Sequence, residues 1–349
     1  MKFDLSEEEI LIKNESEKFS KILYENARKY EKEGVPSSLY NQYKELGFLT
    51  IDWPENLGGQ NLPFFVKSLV LEELSKGCAS STFHLDRACF AIYPLLHLEN
   101  SEAKEYLLSK FKNSEEGFEP AVFLDSDARF KFENGKLSGK IFYIPCHRPS
   151  ILTIIQNNRI FIIEENISSN PVIPCALHSA GACEVEVNGK PLLYEEINKN
   201  NLRKILASLR LYISSYLLGV SRASFEYSLK YTQERVVFGK KVAHHQAIAF
   251  ILADMSTYIE STRLYIWKAA WVLTKGDGFE DASLAFIQSQ ECSSFVSNFG
   301  VQLLGGHGYI KDHPVEKWMR EARTIPAIIG GKDLAQIDLE QESVGDWVK

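Results

Sequence analysis

The apolar residues of this chain change their period twice, and that change limits the folds that the chain can adopt. After position 200, Ile205, Leu209 and Tyr212 recur at spacings of four and three, which is the repeat of one helix face. Before it, Cys183 and Val185 alternate with acidic residues, as in a strand with one wet face. The beginning of the chain is again helical in period. The sequence therefore predicts a β unit between two helical units.

We predict an α+β protein built from three domains. An N-terminal α-helical domain covers 1–116, a small middle β domain covers 117–199, and a four-helix-bundle-like C-terminal domain covers 200–349. With 349 residues, 45% of them hydrophobic, the chain can bury a core in each unit. Its apolar runs are far shorter than the roughly 18 residues of a membrane span, so we expect no membrane segment.

Local motifs predict where several elements begin or turn. Ser6 stands three residues before Glu9, which is the spacing of a capping box at a helix start. Asn134 and Gly135 separate two alternating stretches, and this pair is a strong hairpin signal because both residues tolerate positive φ. Asp281 follows a glycine-containing loop and is the predicted cap of the third long C-terminal helix.

Charge and cysteine usage exclude several classes of protein. The formal net charge is −7 and the basic residues are scattered, so we expect no nucleic-acid partner. The first residues are acidic where a secretory signal would be basic and then apolar. The cysteines form no C-x-x-C pair, which indicates buried thiols in a reducing, cytoplasmic compartment. They are Cys78, Cys89, Cys146, Cys175, Cys183 and Cys292.

The C-terminal part combines arginine, glutamine and glycine in a way that fits a dinucleotide. An arginine fork suits a pyrophosphate, and paired glycines let backbone N–H groups approach a phosphate without a Cβ in the way. Each residue alone has a simpler explanation, such as a surface charge or a helix end, but together they favour a cofactor site. This dinucleotide-binding set is Arg235, Phe238, Gln246, Gln302, Gly305 and Gly306.

Three histidines lie close to this set in the sequence: His244, His245 and His307. No third ligand at metal spacing accompanies them. We therefore interpret them as surface histidines and expect no metal.

Together with 45–59 and 316–323, the dinucleotide-binding set resembles the acyl-CoA dehydrogenases, and the likeness extends over nearly the whole chain. The resemblance implies an enzyme that oxidises the α,β carbon bond of an acyl thioester, carried on CoA or on a carrier protein, and passes a hydride to FAD. It also implies that the dinucleotide-binding set reaches across a subunit junction to the neighbouring subunit's FAD. The protein would then be a dimer or a tetramer.

The resemblance also locates two positions for the catalytic glutamate, and this chain has a carboxylate at neither. One position, before a glycine near the C-terminus, is occupied by Gly330, and the other, on the first helix of the C-terminal bundle, by Leu209. Loss of a general base typically costs about two to four decades in rate. Asp333 is the nearest carboxylate in sequence to Gly330 and is a weak candidate for a replacement.

The predicted flavin wall of the middle domain is altered as well. Tyr143 stands where the resemblance implies a tryptophan beside the isoalloxazine ring, and it could stack on that ring or be an ordinary core tyrosine. Two residues later, Pro145 has neither a hydroxyl nor an N–H to donate toward the flavin. The family's Thr-Glu-Pro segment is absent from 121–127.

Two further residues are candidates for substrate binding through the resemblance. Arg210 matches an arginine that lines the substrate end in relatives, and its alternative is an interior arginine paired with a carboxylate. Tyr309 belongs to a Gly-x-Gly-Tyr turn expected near the same pocket, with a similar alternative.

Two functions follow from these observations. The first is an FAD-dependent acyl-CoA dehydrogenase type of flavoprotein whose usual base is absent, and oxygen-using chemistry without α-proton abstraction is a variant of it. The second is a non-catalytic subunit that joins a catalytically complete paralogue in a hetero-oligomer and completes that partner's FAD site.

Overall fold

The computed structural model describes residues 4–113, 115 and 117–347, and for 342–347 the backbone alone. The N-terminal part is helical. Its helices are α1 (Glu7–Glu33), α2 (Ser37–Glu45), α3 (Phe64–Leu96) and α4 (Ser101–Lys112). They share one apolar core with the helices of the C-terminal part.

Helix α1 begins at the predicted capping box. The Glu9 backbone N–H donates to Ser6 Oγ at 3.3 Å, and the Ser6 N–H donates to Glu9 Oε2 at 2.7 Å, so two groups at the helix start are satisfied reciprocally. Helix α1 packs along α3, where Gly77 is required because a Cβ there would lie 2.3 Å from the Ser20 carbonyl oxygen. Helix α3 kinks beside this contact, at Cys78.

The middle of the chain forms two four-stranded sheets whose facing sides enclose a second apolar core. The strands are β1 (Pro120–Leu124), β2 (Lys131–Glu133), β3 (Lys136–Ile144), β4 (Ile151–Gln156), β5 (Arg159–Ile163), β6 (Ile167–Pro171), β7 (Cys183–Gly189) and β8 (Leu193–Glu196). Their orders are β1-β4-β5-β8 and β2-β3-β7-β6, with β1 and β4 parallel and the other pairs antiparallel. The predicted hairpin joins β2 to β3, and both turn residues, Asn134 and Gly135, have positive φ.

The C-terminal part is a bundle of helices. Its elements are α5 (Lys199–Glu234), the short ribbon β9 (Val236–Val237) and β10 (Lys240–Lys241), α6 (Gln246–Leu273), α7 (Phe279–Leu304), α8 (Val315–Thr324) and α9 (Gly331–Trp347). Helix α5 is the central element, because it packs against α3, α6, α7 and α8. The α+β fold class, with a β unit between helical units, is confirmed.

Two local predictions were wrong in detail. Helix α7 begins earlier than predicted, because Asp277 Oδ1 accepts the Phe279 N–H at 3.0 Å, whereas Asp281 lies in the first turn and pairs with Lys268 at 2.8 Å. Five of the cysteines are buried, but Cys175 is exposed. Within the described part of the chain, every helix is too short or too polar to cross a membrane.

Candidate functional site

A cleft of about 480 Å³ lies where the middle sheets meet the bundle. Its walls are the end of β1 with the turn after it, the middle of β3, 326–331 after α8, and single residues of α7 and α8. The cleft brings together Tyr143, which was expected beside the flavin ring, and Gly330, which occupies one of the expected base positions. We call this the sheet–bundle cleft.

Tyr143 has an unusual environment in the cleft wall. Its hydroxyl oxygen is buried and forms no hydrogen bond with the described residues. Burial raises the pKa of Tyr143 above its usual value, so the hydroxyl keeps its proton. A buried hydroxyl without a protein partner is costly.

Charged residues of the cleft come from the turn after β1 and from α8. Arg129 pairs with Asp127, Nη2 to Oδ2 at 2.5 Å, and Asp125 holds the turn by accepting the Arg129 and Phe130 N–H groups at 2.9 and 3.0 Å. Arg323 donates to Asn298 Oδ1 at 3.1 Å. Neither arginine was predicted as a site residue, although Arg323 lies within 316–323.

Glycines shape the turn that carries the first predicted base position. Gly330 and Gly331 have φ of 83° and 70°, a region that favours glycine, and a Cβ on Gly330 would lie 2.5 Å from Leu334 Cδ2. The Lys332 N–H donates to Gln290 Oε1 at 2.7 Å and fixes the start of α9. Asp333 is exposed and is not among the described residues that line the cleft.

The second predicted base position lies in the interior of the bundle. Leu209 is fully buried in the main apolar core. Its neighbour Arg210 is 1% exposed, forms an ion pair with Asp338 and donates to Ser283 Oγ at 2.7 Å. Of its two alternatives, Arg210 therefore takes the interior ion pair, and this arrangement gives a substrate role no support.

The residues of the dinucleotide-binding set lie on the surface, and those at the ends of α5 and α7 are close to each other. Arg235 caps the end of α5, with its N–H on the Tyr231 carbonyl at 2.9 Å, and the Tyr231 hydroxyl is 2.9 Å from His307 Nδ1. His307 lies in the turn that contains Gly305, whose N–H donates to the Gln302 carbonyl. The end of α5 and the end of α7 are thus neighbours.

This surface is open to solvent. Phe238 is 94% exposed at the tip of the β9–β10 ribbon, and Tyr309 is 76% exposed. Tyr309 was expected near the substrate pocket, but among the described residues it lines the exposed surface rather than the sheet–bundle cleft. The other exposed members are Arg235, Gln246, Gln302, Gly305 and Gly306.

Two small sheets between helical units, with a cleft against the last helices, are the architecture of the acyl-CoA dehydrogenase fold. The chain belongs to the acyl-CoA dehydrogenase family. Its residues 6–115 match the family's N-terminal domain, and residues 200–344 match its C-terminal domain.

Individual relatives support the same assignment. The mitochondrial short-chain specific acyl-CoA dehydrogenase of Rattus norvegicus is 27% identical over 339 residues, covering 86% of this chain and 81% of the relative. Subunit CarC of the caffeyl-CoA reductase-Etf complex of Acetobacterium woodii is 35% identical over 145 residues, covering 41% of this chain and 38% of the relative. The solved FAD complex of PigA has the same fold, with a TM-score of 0.84, 20% identity and 99% coverage of both chains.

Proposed function

We propose that this chain is an FAD-binding flavoprotein of the acyl-CoA dehydrogenase type that acts on the CH–CH bond of an acyl thioester, without the family's usual base. The observation that carries the proposal is the sheet–bundle cleft, which joins Tyr143 to the glycine turn at Gly330 in a volume of about 480 Å³. FAD is the cofactor of the solved PigA relative. When bound, FAD would supply the hydride acceptor.

Three features of the cleft fit a flavin dinucleotide. Tyr143 lines the cleft, where its aromatic ring could stack on the ring system of the flavin. Arg129 and Arg323 provide guanidinium groups that suit a pyrophosphate. The exposed dinucleotide-binding set, with Arg235 and Phe238, would hold the cofactor of a second subunit.

Proton removal from the substrate requires a base, and the cleft offers few candidates. Asp127 is the one carboxylate among the described residues that line the cleft. The hydrogen bond from Arg129 lowers the pKa of Asp127, which makes its carboxylate a poorer base. We therefore infer slow chemistry or chemistry that needs no strong base, rather than the turnover of a complete family member.

Absorption spectroscopy tests the proposal. Purified protein mixed with FAD and freed of excess cofactor should be yellow, and butyryl-CoA added without oxygen should bleach the flavin band slowly. CoA alone is the control and should leave the band unchanged. A protein that retains no FAD at any concentration would contradict the proposal, and retained FAD that no acyl thioester bleaches would contradict its catalytic part.

A second function is favoured by a specific contrast between two regions. Neither Leu209 nor Gly330 offers a carboxylate, whereas the surface with Arg235, Phe238 and Gly305 keeps the residues expected to grip a partner's cofactor. A non-catalytic subunit that completes the FAD site of a catalytically complete paralogue would have this combination.

Co-expression distinguishes the two functions. The chain and a complete paralogue, each with a different affinity tag, should purify together with about one FAD per pair of chains if the second function holds. Recovery of separate homo-oligomers, with FAD bound to this chain alone, would exclude it and leave the first function.

A further inference from the structure

We propose that Arg87, held in place by Glu119, plugs the inner end of the sheet–bundle cleft and restricts the cleft to thioesters with short acyl groups. Next to the cleft lies a small cavity of about 10 Å³, enough for one water molecule. Arg87 lines that cavity together with Phe83 and Phe90, all from α3. This inference deepens the proposed function and rests on it.

The cavity and the cleft are neighbours, because the same three segments of the chain line both. Strand β1 lines the cleft with Phe123 and the cavity with Val122, and β3 lines the cleft with Tyr143 and the cavity with Ile144. Ile328, after α8, lines both. A ligand that extended inward along these three segments would therefore meet the α3 side chains.

Arg87 is fixed from two sides. It is 4% exposed, and its Nη2 donates to the Ala180 carbonyl at 2.7 Å. Its Nη1 lies 2.6 Å from Glu119 Oε1, an ion pair held by charge rather than by an aligned hydrogen bond. Movement of the Arg87 side chain away from Glu119 would leave a buried charge uncompensated, so the guanidinium keeps its position.

Glu119 in turn is fully engaged. Its Oε2 accepts the backbone N–H groups of His147 and Arg148, both at 2.8 Å, and its Oε1 lies 2.9 Å from His147 Nδ1. With His84, these groups have the spacing of a metal site, but the Arg87 guanidinium already supplies the positive charge there. We therefore interpret Glu119, His84 and His147 as the residues that hold Arg87 in place.

The residue before Arg87 belongs to a buried polar network. Next to Arg87 on α3, Asp86 is fully buried and accepts hydrogen bonds from Lys67 at 2.8 Å and from Tyr43 and Tyr212 at 2.7 Å each. A satisfied buried network of this kind resists opening, because each broken bond would leave a polar group unpaired.

The test compares acyl-chain lengths in the FAD-loaded protein by isothermal titration calorimetry. Wild type should bind octanoyl-CoA no more tightly than butyryl-CoA, because the additional methylenes cannot be buried. The double variant Arg87→Ala/Glu119→Gln removes the plug and its charge together, and it should favour octanoyl-CoA by about fourfold for each additional methylene it buries. The same comparison in Arg87→Met/Glu119→Gln, which keeps the volume filled, should show no preference.

Arg148→Ala is the control for loss of an arginine, since Arg148 is exposed in the same loop and its side chain does not line the cavity. It should behave as wild type. Wild type that binds octanoyl-CoA many times more tightly than butyryl-CoA would overturn the plug while leaving the proposed function intact. A chain that takes up no FAD, or an FAD-loaded chain that binds neither thioester, would overturn the proposed function and the plug with it.

Discussion

At the scale of single residues, the two expected base positions differ in what they could tolerate. Gly330 borders the cleft, but its φ of 83° disfavours any side chain. Leu209 has ordinary helical geometry, but it is fully buried in the apolar core. A glutamate at Gly330 would therefore have an unfavourable backbone conformation. A glutamate at Leu209 would place a carboxylate in an apolar core.

Introducing a glutamate at Leu209, the second expected base position, should destabilise the protein without restoring activity. Leu209→Glu places a carboxylate in the main core, and we expect the free energy of unfolding to fall by about 3 to 5 kcal/mol. Leu209→Met conserves volume and should cost less than about 1.5 kcal/mol. Urea denaturation measures both, and a Leu209→Glu protein as stable as wild type that bleaches its flavin faster would contradict this account.

The ion pair of Glu119 predicts how stability depends on pH. Burial opposes ionisation of Glu119, but the hydrogen bonds from His147 and Arg148 and the charge of Arg87 outweigh it and lower its pKa to about 2. In the unfolded chain the pKa is near 4.5. The ionised group therefore contributes stability above pH 4.5, and this contribution is lost as the pH falls toward 2.

Glu119→Gln should accordingly be less stable than wild type at neutral pH, and the difference should shrink between pH 4.5 and 2. Urea unfolding of both proteins across that range measures it. Because the Glu119 charge also raises the pKa of His84, the same comparison is made in a His84→Gln background, where this imidazole no longer titrates. A difference that stays constant with pH would contradict the assignment of the ion pair.

At the scale of elements, the ribbon β9–β10 has a conformation and an exposure that contacts within the single chain do not explain. Phe238 at its tip has a φ of 51°, which is unfavourable for an aromatic residue, and it exposes 94% of its surface. A residue that is both strained and exposed gains nothing within the single chain. The proposed contact with a second subunit's FAD would account for it.

Phe238→Asn tests this contact. Asparagine tolerates the left-handed conformation, so the free energy of unfolding of the isolated chain should stay level or rise by up to about 1 kcal/mol. The affinity for FAD should fall, because the aromatic contact is lost. Thermal unfolding and FAD titration measure the two effects, and an FAD affinity equal to that of wild type would remove Phe238 from the cofactor site.

The sequence was most informative where an element depends on neighbouring residues. The Ser6–Glu9 capping box and the Asn134–Gly135 turn were predictable because the partners are a few positions apart. Arg210 shows the opposite case, since its ion-pair partner Asp338 is 128 residues away, and the sequence left its role open.

The cleft itself depends on such distant contacts. Arg129 and Arg323 line the same volume although a sheet domain and most of the bundle separate them in sequence, so no local pattern marked them as partners. Family resemblance placed Tyr143 and Gly330 in one site, and the structure joins them. No sequence motif predicted the Arg87–Glu119 ion pair, because the two residues meet only where α3 packs against β1.

At the scale of the whole molecule, the account depends on how the three parts meet. The helical parts share one core, the sheets enclose another, and the cleft lies between the sheets and the last helices. A flavin held there would contact both the sheets and the bundle, so its binding should require the folded, assembled chain.

FAD titration of a cleft-filling variant tests this claim most directly. Ala327 is exposed and lines the cleft, so Ala327→Trp should fold normally and occupy the proposed flavin volume, whereas Ala253→Trp adds the same side chain to an exposed site on α6. We predict that wild type and Ala253→Trp retain FAD and that Ala327→Trp binds it at least about tenfold more weakly, a loss of roughly 1.4 kcal/mol. Equal FAD binding by all three proteins would contradict the account.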